Sequence, residues 1–438
     1  MHRIEIKNFG PIKYFEAELK DLMFFIGPQA SGKSTISKII FFCRSLHGNI
    51  FRFASETTLE ELSQSPQLIS VFYRHLEKQA KTYFGETEGE FVYHVNSQDS
   101  VRVKLSAHNS TITLTESLET QLNLLLEEVK LFKQETQSTI KYREIFVAQQ
   151  TFSTNIEKKL FELFEDRRLH IFVPAGRNSV AMLARQQRID WNVLDQTIQN
   201  FLQLINKIKE FSDIPLTKMF ENKKISEGLF YSSDNTLFSL AIGKIKCILK
   251  GEYFYHRASR RELLVFEDKV INFSRASSGQ QEVVWILYLL FQYLLKDSSI
   301  FPASPVFVVI EEPEAHLFPE TQNQLVEFFG LFANAKPDNQ LLITTHSPYI
   351  LTALNNLIYA YQVGQKNPEA VNQLIPKQFW IDPRRVAAYF VENGTVRSIM
   401  DDELQHINAE EIDRASDLTN SLHEQLLEVE LAGESDGM

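Results

Sequence analysis

Cysteine is nearly missing from this chain. Cys43 and Cys247 cannot build a disulfide framework, and Cys43 sits inside an apolar stretch. Both facts suit a reducing cytoplasm. No Cys/His cluster suggests zinc. No run of eighteen apolar residues occurs, so no membrane-spanning helix is expected, and the N-terminus reads as a strand rather than a signal peptide. Internal repeats and low-complexity tracts are also lacking. So is any excess of basic charge. The formal charge is −11, and all of it is concentrated at one end: from Asp401 onward stand twelve acidic residues and one basic residue, Arg414, leaving 44 of each sign elsewhere. A neutral body lacks the net positive face expected of a chain that grips DNA through its phosphates.

What is present is a large core and four short motifs in a fixed order. A hydrophobic content of 44% in 438 residues is enough for one composite domain with an insertion. The first motif is Gly27-Pro28-Gln29-Ala30-Ser31-Gly32-Lys33-Ser34, followed by Thr35. It follows the apolar run Leu22 to Ile26, which reads as a parallel strand buried on both faces. Gly27 and Gly32 permit backbone angles that aim successive N–H groups at one anion. Lys33 can reach the β- and γ-phosphates, and the Ser34 hydroxyl can ligate Mg²⁺. The segment Thr35 to Cys43 reads as a helix whose N-terminal dipole favours phosphate. The bland alternative is a glycine turn before an ordinary helix.

Val306 to Ile310 is a second buried strand, and Glu311 and Glu312 stand at its end, where α/β proteins bind ligands. Adjacent strand residues face opposite sides. Glu311 is therefore assigned to Mg²⁺, directly or through water, and Glu312 to the general base. Pro313 is expected to end the strand. Leu341 to Ile343 forms a third strand, and His346 after it is a candidate sensor or catalytic group. Between these, Ser278-Gly279-Gln280-Gln281-Glu282 precedes a helix from Gln280 to Leu290. The bland reading makes Ser278 a helix cap.

Together these residues resemble the ATP-binding-cassette type of P-loop ATPase, in the soluble branch that includes SMC, RecF and OLD-like proteins. Ser278 to Glu282 looks like the cassette signature, Glu311 to Pro319 like an extended Walker B, and His346 like the switch histidine. Ile4 to Ile12 and Phe172-Val173-Pro174-Ala175-Gly176-Arg177 resemble further family segments. The resemblance implies an α/β head with a mixed β-sheet flanked by helices, ATP and Mg²⁺ as cofactors, and two copies joined head to tail. ATP would lie between the P-loop of one head and Ser278, Gly279 and Gln280 of the other. Two departures stand out. Glu311 replaces the usual aspartate, and no glutamine clearly fills the Q-loop role, although Gln149 and Gln150 follow an apolar stretch.

The expected layout is a head from residues 1–45 and 165–400, with 180–250 a helical insertion. Residues 46–164 form an arm of β-hairpin and helix, and 401–438 an acidic tail with an apolar stripe through Leu418, Leu422 and Leu426. Within the arm, Phe91 to Val95, Val101 to Leu105 and Ser110 to Leu114 alternate as antiparallel strands, and Leu118, Leu122, Leu125, Val129 and Phe132 follow helical spacing. Asn393-Gly394 is a strong hairpin signal. Lys207, Lys209, Lys218, Lys223, Lys224, Lys244 and Lys246 form either a basic patch for nucleic acid or ordinary surface. Only 92 residues follow His346, and no TOPRIM-like or HNH-like constellation is visible. The layout therefore resembles ATPase subunits of two-gene antiphage systems such as Septu and PARIS, which work with a separate nuclease effector. Nucleic acid would then be reached through the complex. A RecF-like repair ATPase acting directly on DNA is the alternative.

Overall fold

The computed structural model describes residues 2–63, 68–107, 110–137, 142–183, 194–221, 235–267, 269–294, 304–401 and 403–408. Lys223, Lys224 and the acidic segment beyond Asn408 lie outside the described residues. Strands β1 (Arg3–Phe9) and β2 (Ile12–Glu18) form a hairpin, and β3 (Leu22–Ile26) runs into the loop before helix α1 (Lys33–Arg44). Helices α2 (Leu46–Glu56), α3 (Leu59–Ser63) and α4 (Leu68–Phe84) lead to β4 (Gly89–His94), β5 (Ser100–Leu105) and β6 (Ser110–Leu114). Two long helices follow, α5 (Glu116–Gln137) and α6 (Tyr142–Leu163), before β7 (Leu169–Val173). Helices α7 (Arg177–Leu183), α8 (Gln196–Phe211), α9 (Leu216–Glu221) and α10 (Asn235–Leu249) precede a small antiparallel sheet of β8 (Glu252–His256), β9 (Arg261–Phe266) and β10 (Lys269–Asn272). The C-terminal part runs α11 (Ser278–Leu294), β11 (Val306–Glu311), α12 (Pro319–Ala335), β12 (Gln340–Thr345), α13 (Pro348–Gly364), α14 (Pro368–Leu374), β13 (Val386–Glu392) and β14 (Thr395–Ser398).

The fold class is the one expected, an α/β protein built on a large mixed sheet. Eleven strands lie in the order β6-β5-β4-β1-β2-β14-β13-β3-β12-β11-β7. The segment β13-β3-β12-β11-β7 is parallel throughout. Its strands are apolar on both faces because helices cover both. Leu22, Phe24, Val308, Ile310 and Ile343 enter one core, while Met23, Phe25, Phe307, Val309 and Leu342 enter the other. From Gln281 onward helix α11 is buried on all sides, as the apolar run Val283 to Phe291 requires.

The strands of segment 46–164 continue the same sheet: β4 pairs with β1, and β5 and β6 follow antiparallel. Phe91 and Tyr93 join Ile4 and Ile6 in one core, and Leu118, Leu122 and Val129 of α5 cover it. The Asn393-Gly394 turn joins β13 to β14 with φ of 51° and 79°, left-handed angles that suit these two residues. The chain stays packed past Asp401, since Ile407 is fully buried and bonded to Asn355. Among the described residues, no helix is long and apolar enough to cross a membrane.

A buried polar network stitches the strand beginnings together, at the sheet end opposite the four motifs. Asp166 pairs with Arg44 at 2.9 Å, Arg168 at 3.0 Å and His170 at 3.1 Å. Arg44 also donates to Gln340 at 2.8 Å, Gln340 donates to Asp21 at 3.1 Å, and Arg385 holds Asp21 at 2.7 Å. Burial would raise the Asp166 carboxyl, but Arg44, His170 and Arg168 outweigh it and hold it well below the carboxylate range. Burial pushes His2 and His47 down to about 3 from an ordinary 6.5. As pH falls below that ordinary value the unfolded chain binds these protons first, so stability present at neutral pH is lost between 6.5 and about 3. Asp166 adds to the loss at the acid end, where its carboxylate protonates. Thermal unfolding followed from neutral pH into that window will show a falling midpoint. Asp166→Asn leaves the buried Arg44 without its counter-charge and costs about 3–5 kcal/mol even at neutral pH, measurable by denaturant unfolding.

Candidate active site

Between β3 and α1 the chain makes the turn its glycines allow. Gly27 and Gly32 take φ of 156° and 107°, and Ala30 takes 59°. A Cβ on Gly27 would overlap the Val391 carbonyl, and one on Gly32 would lie 2.5 Å from Ile12 Cδ1. Gly32 is the N-cap of α1 and offers no side-chain acceptor, so the first-turn N–H groups are not satisfied by a capping side chain. Lys33, only 5% exposed, donates to the carbonyls of Gly27 at 2.9 Å and Pro28 at 2.7 Å. Burial lowers its pKa, opposed by the charges of Glu312 and Glu314.

The ends of β11 and β12 bring the other groups to this loop. Glu311 is buried, accepts from Ser37 Oγ and the Ala175 N–H at 3.4 Å each, and has a hydrogen bond from Ser34. Burial raises its pKa above the ordinary value. Such a carboxylate gains from a nearby cation. Glu312 is arranged differently from the expectation of simple strand alternation. The strand ends at Glu311, one residue before the expected break at Pro313, and Glu312 turns away with φ of 44°. That left-handed angle costs roughly 1–2 kcal/mol for a residue with a Cβ. It leaves the side chain 41% exposed and 3.3 Å from His346 Nε2, while His346 Nδ1 lies 3.5 Å from Lys33 Nζ. The His346 N–H donates to Glu314 Oε1 at 2.7 Å. P-loop lysine, carboxylate and histidine thus form one connected group.

Sequence reasoning did not single out Arg177 as a site residue, although Pro-Ala-Gly-Arg was noted as a motif. Fully buried, Arg177 donates to the carbonyls of Pro174 at 3.0 Å, Glu311 at 2.5 Å and Glu312 at 2.9 Å. Gln149 and Gln150 are exposed on α6, and β7, the strand beside β11, is followed by Pro174-Ala175-Gly176-Arg177 with no glutamine.

The Ser278 segment is held elsewhere. Ser277, not Ser278, caps α11, through a reciprocal pair: the Gln280 N–H donates to Ser277 Oγ at 3.3 Å, and the Ser277 N–H to Gln280 Oε1 at 2.9 Å. Gln280 Nε2 donates to the Leu249 carbonyl at 2.6 Å. Ser278 is exposed. Gly279 has a reason inside the chain, since a Cβ there would lie 2.6 Å from the His316 carbonyl. A separate trio, His47, Asp166 and His170, is close enough to hold a metal ion. Both Asp166 oxygens already pair with Arg44 and Arg168, whose charges oppose a further cation.

A profile of the AAA ATPase domain family matches residues 1–351. No curated protein matches the chain in sequence. Similar solved structures include an SMC head bound to the C-terminal winged-helix domain of ScpA, with 10% identity and a TM-score of 0.41 over 92% of this chain and 98% of that one. The SMC head domain from Thermotoga maritima gives 11% and 0.36 over 91% and 97%. A nucleotide-free ATP-binding cassette from an ABC transporter gives 12% and 0.31 over 92% and 93%. At these TM-scores the likeness is too slight to define a shared fold.

Proposed function

This chain belongs to the AAA ATPase domain family, and we propose that two copies meet head to tail around Mg-ATP and govern a separate effector, a nuclease, in antiphage defence. The observation that carries the catalytic part is the contact of Lys33, His346 and Glu312 at the ends of parallel strands. Gly27, Pro28, Gln29, Ala30, Ser31, Gly32, Lys33, Ser34 and Thr35 would hold the phosphates, and Ser34 and Glu311 the Mg²⁺. The fit rests on a cradle closed to side chains at Gly27 and Gly32 and on a buried Glu311 bonded to Ser34. When bound, ATP supplies the phosphoanhydride bond and Mg²⁺ supports the charge on its oxygens. Glu312, half-exposed, takes a proton from the attacking water. His346 holds the Glu312 carboxylate from one side and faces Lys33 on the other.

Lys33→Ala weakens nucleotide binding. Glu312→Gln keeps binding and loses turnover by about 100-fold or more, because an amide cannot take the proton. Steady-state ATPase and nucleotide titration on both variants measure this, and wild-type turnover in Glu312→Gln removes that residue as base.

The dimer rests on Ser278. Because Ser277 serves as the cap, the exposed Ser278 hydroxyl is not spent on its own helix. Gly279 beside it is buried against the His316 carbonyl, the Gln280 side chain and N–H are engaged in the cap, and the N-terminal end of the helix favours an anion. ATP increases the association of Glu312→Gln protein, and Ser278→Arg blocks that increase by filling the phosphate space. Light scattering with and without ATP tests it, and equal mass in all conditions removes the nucleotide-joined dimer.

Support for a protein partner comes from charge. Lys209 pairs with Glu262 at 2.6 Å, Lys244 with Glu327, and Lys246 with Glu252 at 3.4 Å. Of the lysines that could have formed a basic patch, Lys209 and Lys244 are thus held against the fold and Lys246 is paired at the surface, which weakens the direct-DNA alternative. Deletion should start at residue 409, because Ile407 belongs to the core. Full-length protein co-purifies with the product of the adjacent gene, and the deletion lowers that capture at low salt. Tight, salt-dependent binding of DNA by the chain alone, with no capture of the neighbour, supports the RecF-like reading instead.

A further inference from the structure

Arg177 joins two parts of the chain that the proposed reaction uses at different nucleotides. Its Nη1 and Nη2 hold the Glu311 and Glu312 carbonyls at 2.5 and 2.9 Å. On its other edge Nε donates to the Glu282 carbonyl at 3.1 Å and lies 3.4 Å from Glu282 Oε2. Glu282 is in the second turn of α11, the helix that Ser278 and Gly279 open. Its Oε1 accepts from the Asn178 N–H at 3.1 Å, which fixes the carboxylate against the start of α7. A second tie runs parallel to the first, since Gly279 packs on the His316 carbonyl of the loop that leaves Glu312.

These contacts converge on a backbone that needs holding. Glu312 sits at φ 44°; its N–H donates to the Thr344 carbonyl, and its carbonyl accepts from Arg177 and, within the turn, from the Ala315 N–H. Releasing the Thr344 or the Arg177 contact frees a strained turn to relax and swings the carboxylate away from His346. We infer that Arg177 is a positioning residue that couples α11 to the Glu312 turn, so that engagement of Ser278 and Gly279 by a second copy's nucleotide adjusts the base at this copy's own nucleotide. The inference rests on the two-copy reading above for its regulatory meaning, but the coupling itself is a property of one chain.

A guanidinium is required because several acceptors lie along its planar edges. Arg177→Lys keeps the charge and loses the fork. Glu282→Gln keeps an acceptor for Asn178 and removes the charge facing Arg177. In both variants turnover falls by about tenfold to 100-fold while the KM for ATP and the nucleotide affinity change less than about threefold, as expected when a base is misplaced rather than a binding group removed. The milder Glu282→Gln should keep more activity than Arg177→Lys. Hydrogen exchange gives a readout that needs no turnover. Amides of residues 312–317 exchange faster in Glu282→Gln, while those of Val306–Ile310 stay protected.

Unchanged turnover in both folded variants, or unchanged exchange across 312–317 in Glu282→Gln, overturns the coupling. Losses of turnover and nucleotide affinity in equal measure also overturn it, because they indicate general damage. If wild-type protein neither binds nor hydrolyses ATP, the ATPase reading fails, and the exchange result alone still decides whether α11 and the Glu312 turn are linked.

Discussion

The site depends on a left-handed turn at Glu312 that is held from outside its own segment. After a fully buried strand, Glu312 takes a left-handed angle, and hydrogen bonds from outside its own segment keep it there: one to the Thr344 carbonyl and one from Arg177. Ordinary strand alternation would have placed Glu311 and Glu312 on opposite faces of the sheet. One face would then have carried a charged group into a core lined by Ile310, Val308 and Ile343. The turn avoids that burial. It leaves Glu311 as the buried carboxylate of the pair and sends Glu312 out to His346.

A turn of this kind needs rigid surroundings, and the sheet supplies them. Residues of β3, β11 and β12 alternate between two separate cores, so any slip in register would move large apolar side chains across the sheet. At the opposite ends of these strands, Asp166, Arg44, Gln340, Asp21 and Arg385 tie β7, α1, β12, β3 and β13 to one another. Helix α1 has one end in each region: its first residue is Lys33 and its last is Arg44. The lysine is therefore aimed by a helix whose far end is fixed by buried ion pairs.

Much of this was legible in the residues. Continuous apolar runs before Gly27, Glu311 and Thr344 marked the parallel strands, and period-two alternation marked β4 to β6. The glycines of the P-loop and the Asn393-Gly394 pair announced backbone angles that the structure shows. What could not be read were facts that depend on packing. Ser277 and Ser278 are equally good caps in sequence, and only the position of Gln280 relative to the first turn decides between them. The attachment of β4 to β1 lies 80 residues along the chain and leaves no local signal. The small sheet β8–β10 is short and mixed in polarity, so its alternation is weak. Arg177 looked like part of a motif. Its role emerges only when three carbonyls from two strand ends and one helix carboxylate gather around it.

Charge follows the same logic as the turn. The body carries equal numbers of acids and bases, but the bases are not equally available. Arg44 and Arg177 are buried, Lys33 is turned onto its own loop, and Lys209 and Lys244 are held by glutamates and lie over the Trp285 and Phe379 rings. Each cation used to build the fold is withdrawn from the field that the surface presents. Most of these cations take an acid with them, Arg44 pairing with Asp166, Arg177 with Glu282, Lys209 with Glu262 and Lys244 with Glu327, so both signs are withdrawn together. A polyanion approaching this body meets fewer positive groups than a count of lysines and arginines implies, a basic face meets correspondingly fewer carboxylates, and the net negative charge of the chain stands in the residues from Asp401 onward.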